Sequence, residues 1–411
     1  MKRAPRQKKS KLCEPKQTVP WQPSVRLCTA VLLAVIAIFA VIRFRLRDMP
    51  LERDEGEYAY AGQLLLQRIP PYQLAYNMKL PGTSAAYALI LAALGQTSAG
   101  IHLGLLLINA STIVLMYLLA ARLFGKIAGL VGAASYGLLS TSASVEGLEG
   151  HASHFVVFPA IAGLLVLLDA LDRKRAWQFF VSGILLGLAF VMKQPGIFFA
   201  VFAGLYLLQG EWTRPVQPKN LLTRFGFFAL GVVLPYGLTC LILWRAGVFG
   251  KYWFWTFSYA RHYGLGYADG FEELRRKFPL VVEPSVLVWL IAAVGLGAFW
   301  WDAKARRHRV FCLGFLVFSW LAVCPGFFFR RHYFILLLPA VSLLISVAVD
   351  SATSALAERN KSKFLRAVPG VAFVAAFAIS ILGQRELLFE MTPPMCHGPS
   401  IKATLFRRLS K

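Results

Sequence analysis

Residues 80–95 read Leu-Pro-Gly-Thr-Ser-Ala-Ala-Tyr-Ala-Leu-Ile-Leu-Ala-Ala-Leu-Gly, and whether this run crosses a membrane decides the side on which every later loop falls. The chain around it leaves little doubt about its solvent. Of 411 residues, 57% are hydrophobic and only 16% charged, far more apolar than an ordinary soluble domain. Apolar runs recur along almost the whole length, separated by short polar links, so one continuous membrane domain is expected. The runs are continuous rather than alternating, which favours helices over barrel strands as the way to satisfy backbone groups in lipid.

The net charge of +24 would suggest nucleic acid in a soluble protein. Here the basic residues sit in short loops between apolar runs, the positive-inside pattern, and no segment offers a basic face with a reading element. The tail before the first run carries Lys2, Arg3, Arg6, Lys8, Lys9, Lys11, Lys16 and Arg26 against Glu14, which holds the N-terminus in the cytoplasm. The first run, 25–42, has no A-x-A-like cleavage site before Arg43 and reads as a retained anchor.

If 80–95 spans, the loops with Arg173-Lys174-Arg175 and with Lys304, Arg306, Arg307 and Arg309 land outside, against the charge rule. If it does not, both land inside, together with Arg122/Lys126, Arg214/Lys219/Arg224 and Lys361/Lys363/Arg366. One assumption repairs five loops, so 80–95 is read as a re-entrant or interfacial helix. The fold class is then all-α: a polytopic membrane protein with about eleven transmembrane helices. The expected spans are 25–42, 100–121, 127–143, 153–171, 176–192, 196–209, 224–244, 285–301, 310–325, 333–350 and 366–383. Residues 1–24 form a basic cytoplasmic tail, 25–383 the membrane domain and 384–411 a short C-terminal tail. Outer loops cover 43–99 and 245–284. Six scattered cysteines without CxxC spacing read as packing residues.

Charged residues gather in the outer segments. Arg53-Asp54-Glu55-Gly56-Glu57-Tyr58-Ala59-Tyr60 opens the first outer loop, with Lys79-Leu80-Pro81-Gly82 near its end. Tyr58 and Tyr60 with Leu64, Leu65 and Leu66 suit an interfacial amphipathic helix, and Asp54 is expected at its N-cap, a role that can coexist with that of a base. The second outer turn runs from Glu146 through Glu149 and His151 to His154. Its two histidines share a helix face, but HxxH without a nearby motif glutamate is a weak zinc signal, so no metal ligands are assigned. Lys193 ends one apolar run just before the next, and an ionisable group at that depth wants an anionic partner. Arg330-Arg331-His332-Tyr333 puts cations on the side the charge rule disfavours. Two acids, several histidines and three cations beside lipid suit a phosphorylated lipid handled next to a base. The aromatics of 245–284, Tyr259 among them, read mainly as an interfacial anchor.

In their order and spacing, Arg53-Asp54-Glu55-Gly56-Glu57-Tyr58-Ala59-Tyr60, Lys79-Leu80-Pro81-Gly82, Arg122-Leu123-Phe124-Gly125, Lys193-Gln194-Pro195-Gly196 and Arg330-Arg331-His332-Tyr333-Phe334 resemble the bacterial family 39 glycosyltransferases. These are of the GT-C class, with protein O-mannosyltransferases and lipid A aminoarabinose transferases as relatives. The resemblance implies transfer of a sugar, with inversion, from a polyprenyl-phosphate donor lipid to a hydroxyl of an acceptor lipid, glycan or protein. It implies work at the outer face of a cell (inner) membrane. Asp54 matches the catalytic aspartate and Glu55 its acidic neighbour. Lys79, Lys193, Arg330 and His332 fall where the donor phosphate is held. Glu57, Tyr58, Glu149, His151, His154, Tyr333, Tyr259 and Arg261 are carried as substrate-binding candidates. A divalent cation is the one cofactor left open. The rival classes are a secondary transporter, which calls for paired halves with broken helices, and a catalytically silent lipid-binding protein of the same fold.

Overall fold

A computed structural model describes residues 24–212, 218–359 and 362–392. The basic tail before Ser24, Arg214, Lys361, Cys13, Cys396 and the tail after Thr392 lie outside the described residues.

Sixteen α-helices, and no strand, occur among the described residues. The first eight are α1 Val25–Arg45, α2 Arg53–Leu66, α3 Gly82–Leu94, α4 Ser98–Phe124, α5 Lys126–Thr141, α6 Ala152–Arg173, α7 Ala176–Met192 and α8 Ile197–Trp212. The rest are α9 Pro218–Arg245, α10 Phe249–Trp253, α11 Tyr267–Val282, α12 Val286–Ala298, α13 Ala303–Arg307, α14 Arg309–Val323, α15 Leu338–Arg359 and α16 Lys363–Gly383. Seven segments are long and apolar enough to cross a membrane: α1, α4, α6, α9, α15, α16 and the continuous stretch Tyr267–Ala298. The protein is a multi-pass membrane protein.

The other expected spans are helices as well, but short. α5 has 16 residues, α7 17, α8 16 and α14 15, against about 20 for an unassisted crossing. Burial within the bundle compensates: in α5 every residue from Val131 to Thr141 is buried, so its C-terminal part meets protein rather than lipid. The pivotal run forms α3, 13 residues long and thus about 20 Å, well short of the hydrocarbon thickness of about 30 Å. It lies against α2, α4 and α7. Its first residue has to be glycine, because a Cβ at Gly82 would run into the backbone of Val191 and Met192.

Small residues let the helices approach closely where lipid provides no hydrophobic drive. α7 and α9 cross at Gly183 and Gly231, where a Cβ on either would collide with a carbonyl of the partner helix, that of Phe228 or Phe180. The four described cysteines, Cys28, Cys240, Cys312 and Cys324, are free, as their packing role requires. α15 runs through the core with Val341, Leu343, Leu344, Ile345 and Val347 buried. The 3₁₀ turn Arg331–Leu336 leads into it and so ties His332 to the buried core.

Candidate active site

The segment that follows α1 leads into a capping box, and the capping residue is Glu52. Its side chain accepts from the Asp54 N–H at 2.6 Å, while the Glu52 N–H donates to Glu55 Oε2 at 2.9 Å. This corrects the expectation that Asp54 caps α2: Glu52 satisfies the helix end and leaves the Asp54 carboxylate to face the cavity. Glu55 is also placed otherwise than expected. It is fully buried, and Oε1 accepts from the Gly150 N–H and meets His102 Nε2 at 3.1 Å. With its oxygens taken up in tying α2 to α4 and to the Glu146–His154 turn, Glu55 does not reach the cavity and cannot stand beside Asp54 on a substrate.

Asp54 is 5% exposed. Lys79 Nζ lies 3.1 Å from its Oδ2 and Arg53 Nη2 3.2 Å from its Oδ1. His332 Nε2 is 3.9 Å from the same Oδ2. Burial works to raise the Asp54 pKa, but the surrounding cationic groups, Lys79 foremost, outweigh it and hold the carboxyl well below the usual carboxylate range. Lys79 also pairs with Glu57 Oε2 at 3.2 Å and sits 4.4 Å from the centre of the buried Tyr58 ring. Burial works against its charge, yet Tyr58, Asp54 and Glu57 raise its pKa above the ordinary value.

The backbone that presents Lys79 is clamped on three sides. The Lys79 N–H donates to Asn77 Oδ1 at 2.8 Å and the Lys79 carbonyl accepts from Tyr72 O–H at 2.8 Å. Gln194 Nε2 donates to the Met78 carbonyl at 2.6 Å, and Thr83 Oγ1 to the Met192 carbonyl at 2.8 Å. The Lys79 loop is thereby fastened to the 193–195 link, which presents Lys193 in extended conformation between α7 and the next turn. Lys193 is 8% exposed. Its Nζ lies 4.0 Å from the centre of the Tyr333 ring, and among the described residues no carboxylate pairs with it. Burial, helped by Lys79 and Arg330 and opposed by Asp54, brings its pKa down to about 7.

These groups line a cavity of about 650 Å³. Asp54, Glu57, Lys79, Lys193, Tyr259, Arg261, Arg330 and Tyr333, all expected at the site, are on its wall. Arg330 donates to Tyr263 O–H at 2.9 Å. Trp255, Phe257, Pro325 and Phe328 add an apolar portion to the wall, beside the polar Asn77, Gln194 and Thr256.

Behind Asp54 stands a second cluster. His332 Nδ1 meets Glu146 Oε2 at 2.9 Å, and Arg331 Nε meets Glu146 Oε1 at 3.3 Å. The His332 ring stacks on His151, with centres 3.9 Å apart and planes at 13°. His151 Nε2 in turn contacts Glu149 Oε2 at 2.9 Å. His151 and Glu149 thus lie one layer back from the cavity, and His154, buried in the first turn of α6, is not on its wall. Glu146 was missed as a candidate although its turn was singled out. Its left-handed backbone, φ 53°, is uncommon for a residue with a side chain, but nothing in the sequence reveals that conformation.

Asp54, His151 and His332 bring one potential ligand atom each within 4.8 Å of one another, as do Glu146, Glu149 and His151. Neither set fits a metal well. The Lys79 ammonium already neutralises Asp54 Oδ2, while Nε2 of His151 is held by Glu149 and Nδ1 of His332 by Glu146.

The helical bundle that carries this cavity has the GT-C fold. The ArnT protein of Cupriavidus metallidurans shares it, at TM-score 0.58 and 18% identity in the apo state, over 88% of this chain and 73% of that one. Its structure bound to undecaprenyl phosphate matches at TM-score 0.55 and 17% identity, over 89% and 74%. The archaeal oligosaccharyltransferase AglB of Archaeoglobus fulgidus, in complex with an inhibitory peptide and a dolichol-phosphate, matches at TM-score 0.53 and 14% identity, over 88% and 56%. Residues 79–239 match the family described as dolichyl-phosphate-mannose-protein mannosyltransferase. The resemblance to GT-C family 39 seen in the sequence is thereby borne out. No curated protein matches the chain significantly by sequence.

Proposed function

We propose that the protein transfers a sugar from a polyprenyl-phosphate-linked donor to an acceptor hydroxyl at the outer face of the cell membrane, with inversion and with Asp54 as base. The observation that carries this reading is the single cavity in which a buried carboxylate meets Lys79, Lys193 and Arg330, with Lys193 lacking any acidic partner among the described residues. A buried lysine without a counter-ion is costly, and a phosphate within reach removes that cost. The apolar portion of the wall suits the lipid end of the donor.

A carboxylate held as strongly acidic as Asp54 is a weak base, and the Lys79 pairing suggests how the base is released. When the donor phosphate enters, it competes for the Lys79 ammonium. Drawn off Oδ2, that ammonium stops lowering the Asp54 pKa, so the base is switched on by the donor itself. The same cations then stabilise the departing phosphate, the larger electrostatic share of the catalysis. Asp54 takes the acceptor proton as the acceptor oxygen bonds to the anomeric carbon, and the bond from that carbon to the carrier phosphate breaks.

Purified protein, offered a panel of polyprenyl-phosphate sugars, is expected to free the carrier phosphate, read by mass spectrometry. Asp54→Asn should lose this activity while eluting as a folded monodisperse protein. Release from no donor, or full transfer by Asp54→Asn, would refute the assignment. Because Lys79 already serves as the counter-ion of Asp54, transfer is expected to survive treatment with a chelator, and restoration by a divalent ion after such treatment would show that a metal is needed.

A further inference from the structure

Taking a proton onto Asp54 creates a problem that the cavity alone does not solve. The carboxyl is 5% exposed and must lose that proton before the next turnover, yet its other neighbours, Lys79 and Arg53, are full of protons and can accept none. Among the described residues, His332 is the group that turns an unengaged ring nitrogen toward Asp54 Oδ2. Its Nδ1 is engaged with Glu146 Oε2 at 2.9 Å, and a carboxylate accepts only from an N–H. The resting tautomer therefore carries its proton on Nδ1 and turns a bare Nε2 toward Asp54 Oδ2, 3.9 Å away.

We propose that His332 and Glu146 form the proton outlet of Asp54, with Glu146 as the positioning residue that fixes the histidine tautomer. The proposal rests on Asp54 being the base. The oxygen that faces His332 is the one Lys79 holds at 3.1 Å. When the ammonium turns to the donor phosphate, Oδ2 is left facing Nε2, and closing the gap to about 2.8 Å needs only a small side-chain rotation. The protonated Asp54 gives its proton to Nε2 and returns to carboxylate. His332 becomes an imidazolium paired with Glu146, which then receives the Nδ1 proton. The Glu146 side chain is 29% exposed and passes that proton to outer water; Nδ1 then takes a proton back through Glu146 as Nε2 releases its own to water in the emptied cavity, which restores the starting tautomer. One proton leaves the acceptor hydroxyl and one reaches the outer solvent.

The surroundings tune the pair for this task. The groups that face His332 are Asp54 of α2, Lys79 of the first outer loop, His151 and Glu146 of the turn before α6, and Lys193 of the 193–195 link, with Arg331 beside it on Glu146. Burial, followed by His151, Lys193 and Lys79, holds the His332 pKa well below the ordinary histidine value, against the pull of Asp54. Its stacked neighbour is biased the other way. Burial lowers the His151 pKa, but Glu149 and Glu146 outweigh it and raise the ring above the ordinary value. Two rings 3.9 Å apart resist being charged together, so an imidazolium at His332 gives its proton up again readily rather than holding it.

The test uses the full-length protein in lipid nanodiscs with ¹⁵N-labelled histidine. At pH 7 the His332 signal should be that of a neutral ring protonated on Nδ1, and Glu146→Gln should shift the ring toward a mixture of tautomers. Asp54→Asn should move the His332 titration, since the two sites share a proton path. In the transfer assay Glu146→Gln is expected to turn over at least 10-fold more slowly with a displaced pH profile and a larger solvent isotope effect, and Glu146→Asp to recover part of the rate. A His332 ring protonated on Nε2 at rest, or a titration indifferent to both substitutions, overturns the outlet. So does a Glu146→Gln enzyme with an unchanged rate and pH profile. If no donor releases carrier from the wild type while the NMR coupling is present, the transfer reading fails and the coupled pair remains.

Discussion

The two ends of helix α6 carry the same kinds of side chain and use them in opposite ways. At its C-terminal end Arg122 meets Asp172 at 2.6 Å and Asp169 at 3.8 Å, and Arg173 meets Asp169 at 2.9 Å. These charges are paired and none is buried, the Asp172 side chain being 72% and that of Arg173 57% exposed and those of Arg122 and Asp169 29% and 28%. At the N-terminal end Asp54, Glu55, His151, His332 and Lys193 are all buried, and Lys193 faces a cavity with no acid to balance it. Pairs of the first kind contribute little to stability and need no explanation beyond solvation. A buried, convergent and unbalanced group is held there by the rest of the bundle against its own solvation energy, and that expense marks a functional site.

If this contrast is sound, substitutions at the two ends differ steeply in consequence. The largest effect belongs to Asp54→Asn, which should slow transfer by roughly 100- to 10,000-fold, the usual range for a general base, with the thermal unfolding midpoint preserved. Retained turnover would put Asp54 on a level with Asp172. The next belongs to Lys193 and shows in pH dependence. Its pKa of about 7 in the free protein means that above pH 7 the amine is mostly neutral, whereas a bound phosphate favours the charged form. Binding of a polyprenyl phosphate between pH 7.5 and 9 should then take up a proton, and affinity should fall as pH rises through this window. Calorimetry in buffers of different ionisation enthalpy reads the uptake, and Lys193→Met should abolish it. An uptake that persists in Lys193→Met assigns the proton to another group.

A smaller effect is expected at the close crossing of α7 and α9. Gly183→Leu has no room against the Phe228 carbonyl, and overpacking of this sort costs about 1–3 kcal/mol. The loss should appear as a lower unfolding midpoint with donor binding per folded molecule unchanged. At the bottom of the scale Asp172→Ala, which removes one exposed partner of Arg122, should change stability by less than about 1 kcal/mol and transfer not at all. A larger loss there would mean that the C-terminal end of α6 does more than meet solvent.

The sequence made the architecture legible because loop charge and run length are local properties. The run on which the topology turns, residues 80–95, forms α3, a helix of 13 residues. The residues of the cavity wall were legible for a related reason: Asp54, Lys79, Lys193 and Arg330 each interrupt or flank an apolar run, where a charge has no ordinary place. What could not be read was the division of labour among neighbours. Asp54 and Glu55 are adjacent, yet one faces the cavity and the other is spent on Gly150, His102 and Glu52. The Asp54 cap went wrong because the helix starts two residues earlier than that cap requires, with Glu52 as the cap and Asp54 already in the first turn of α2, and only backbone conformation decides between the two acids. The contact between Glu146 and His332 spans 186 positions, a distance across which no local pattern carries information.

The most direct measurement compares the two ends for the ligand that the site is argued to hold. Binding of undecaprenyl phosphate, titrated by native mass spectrometry at pH 7, should be strong in the wild type and weakened about 10-fold or more by Lys193→Met, a loss of about 1.4 kcal/mol or more. It should be indifferent to Lys304→Met at the opposite face, where the lysine pairs with Asp350 at 2.8 Å. Equal affinity of the wild type and Lys193→Met would contradict the claim that the buried cations of the outer end are there for a lipid phosphate.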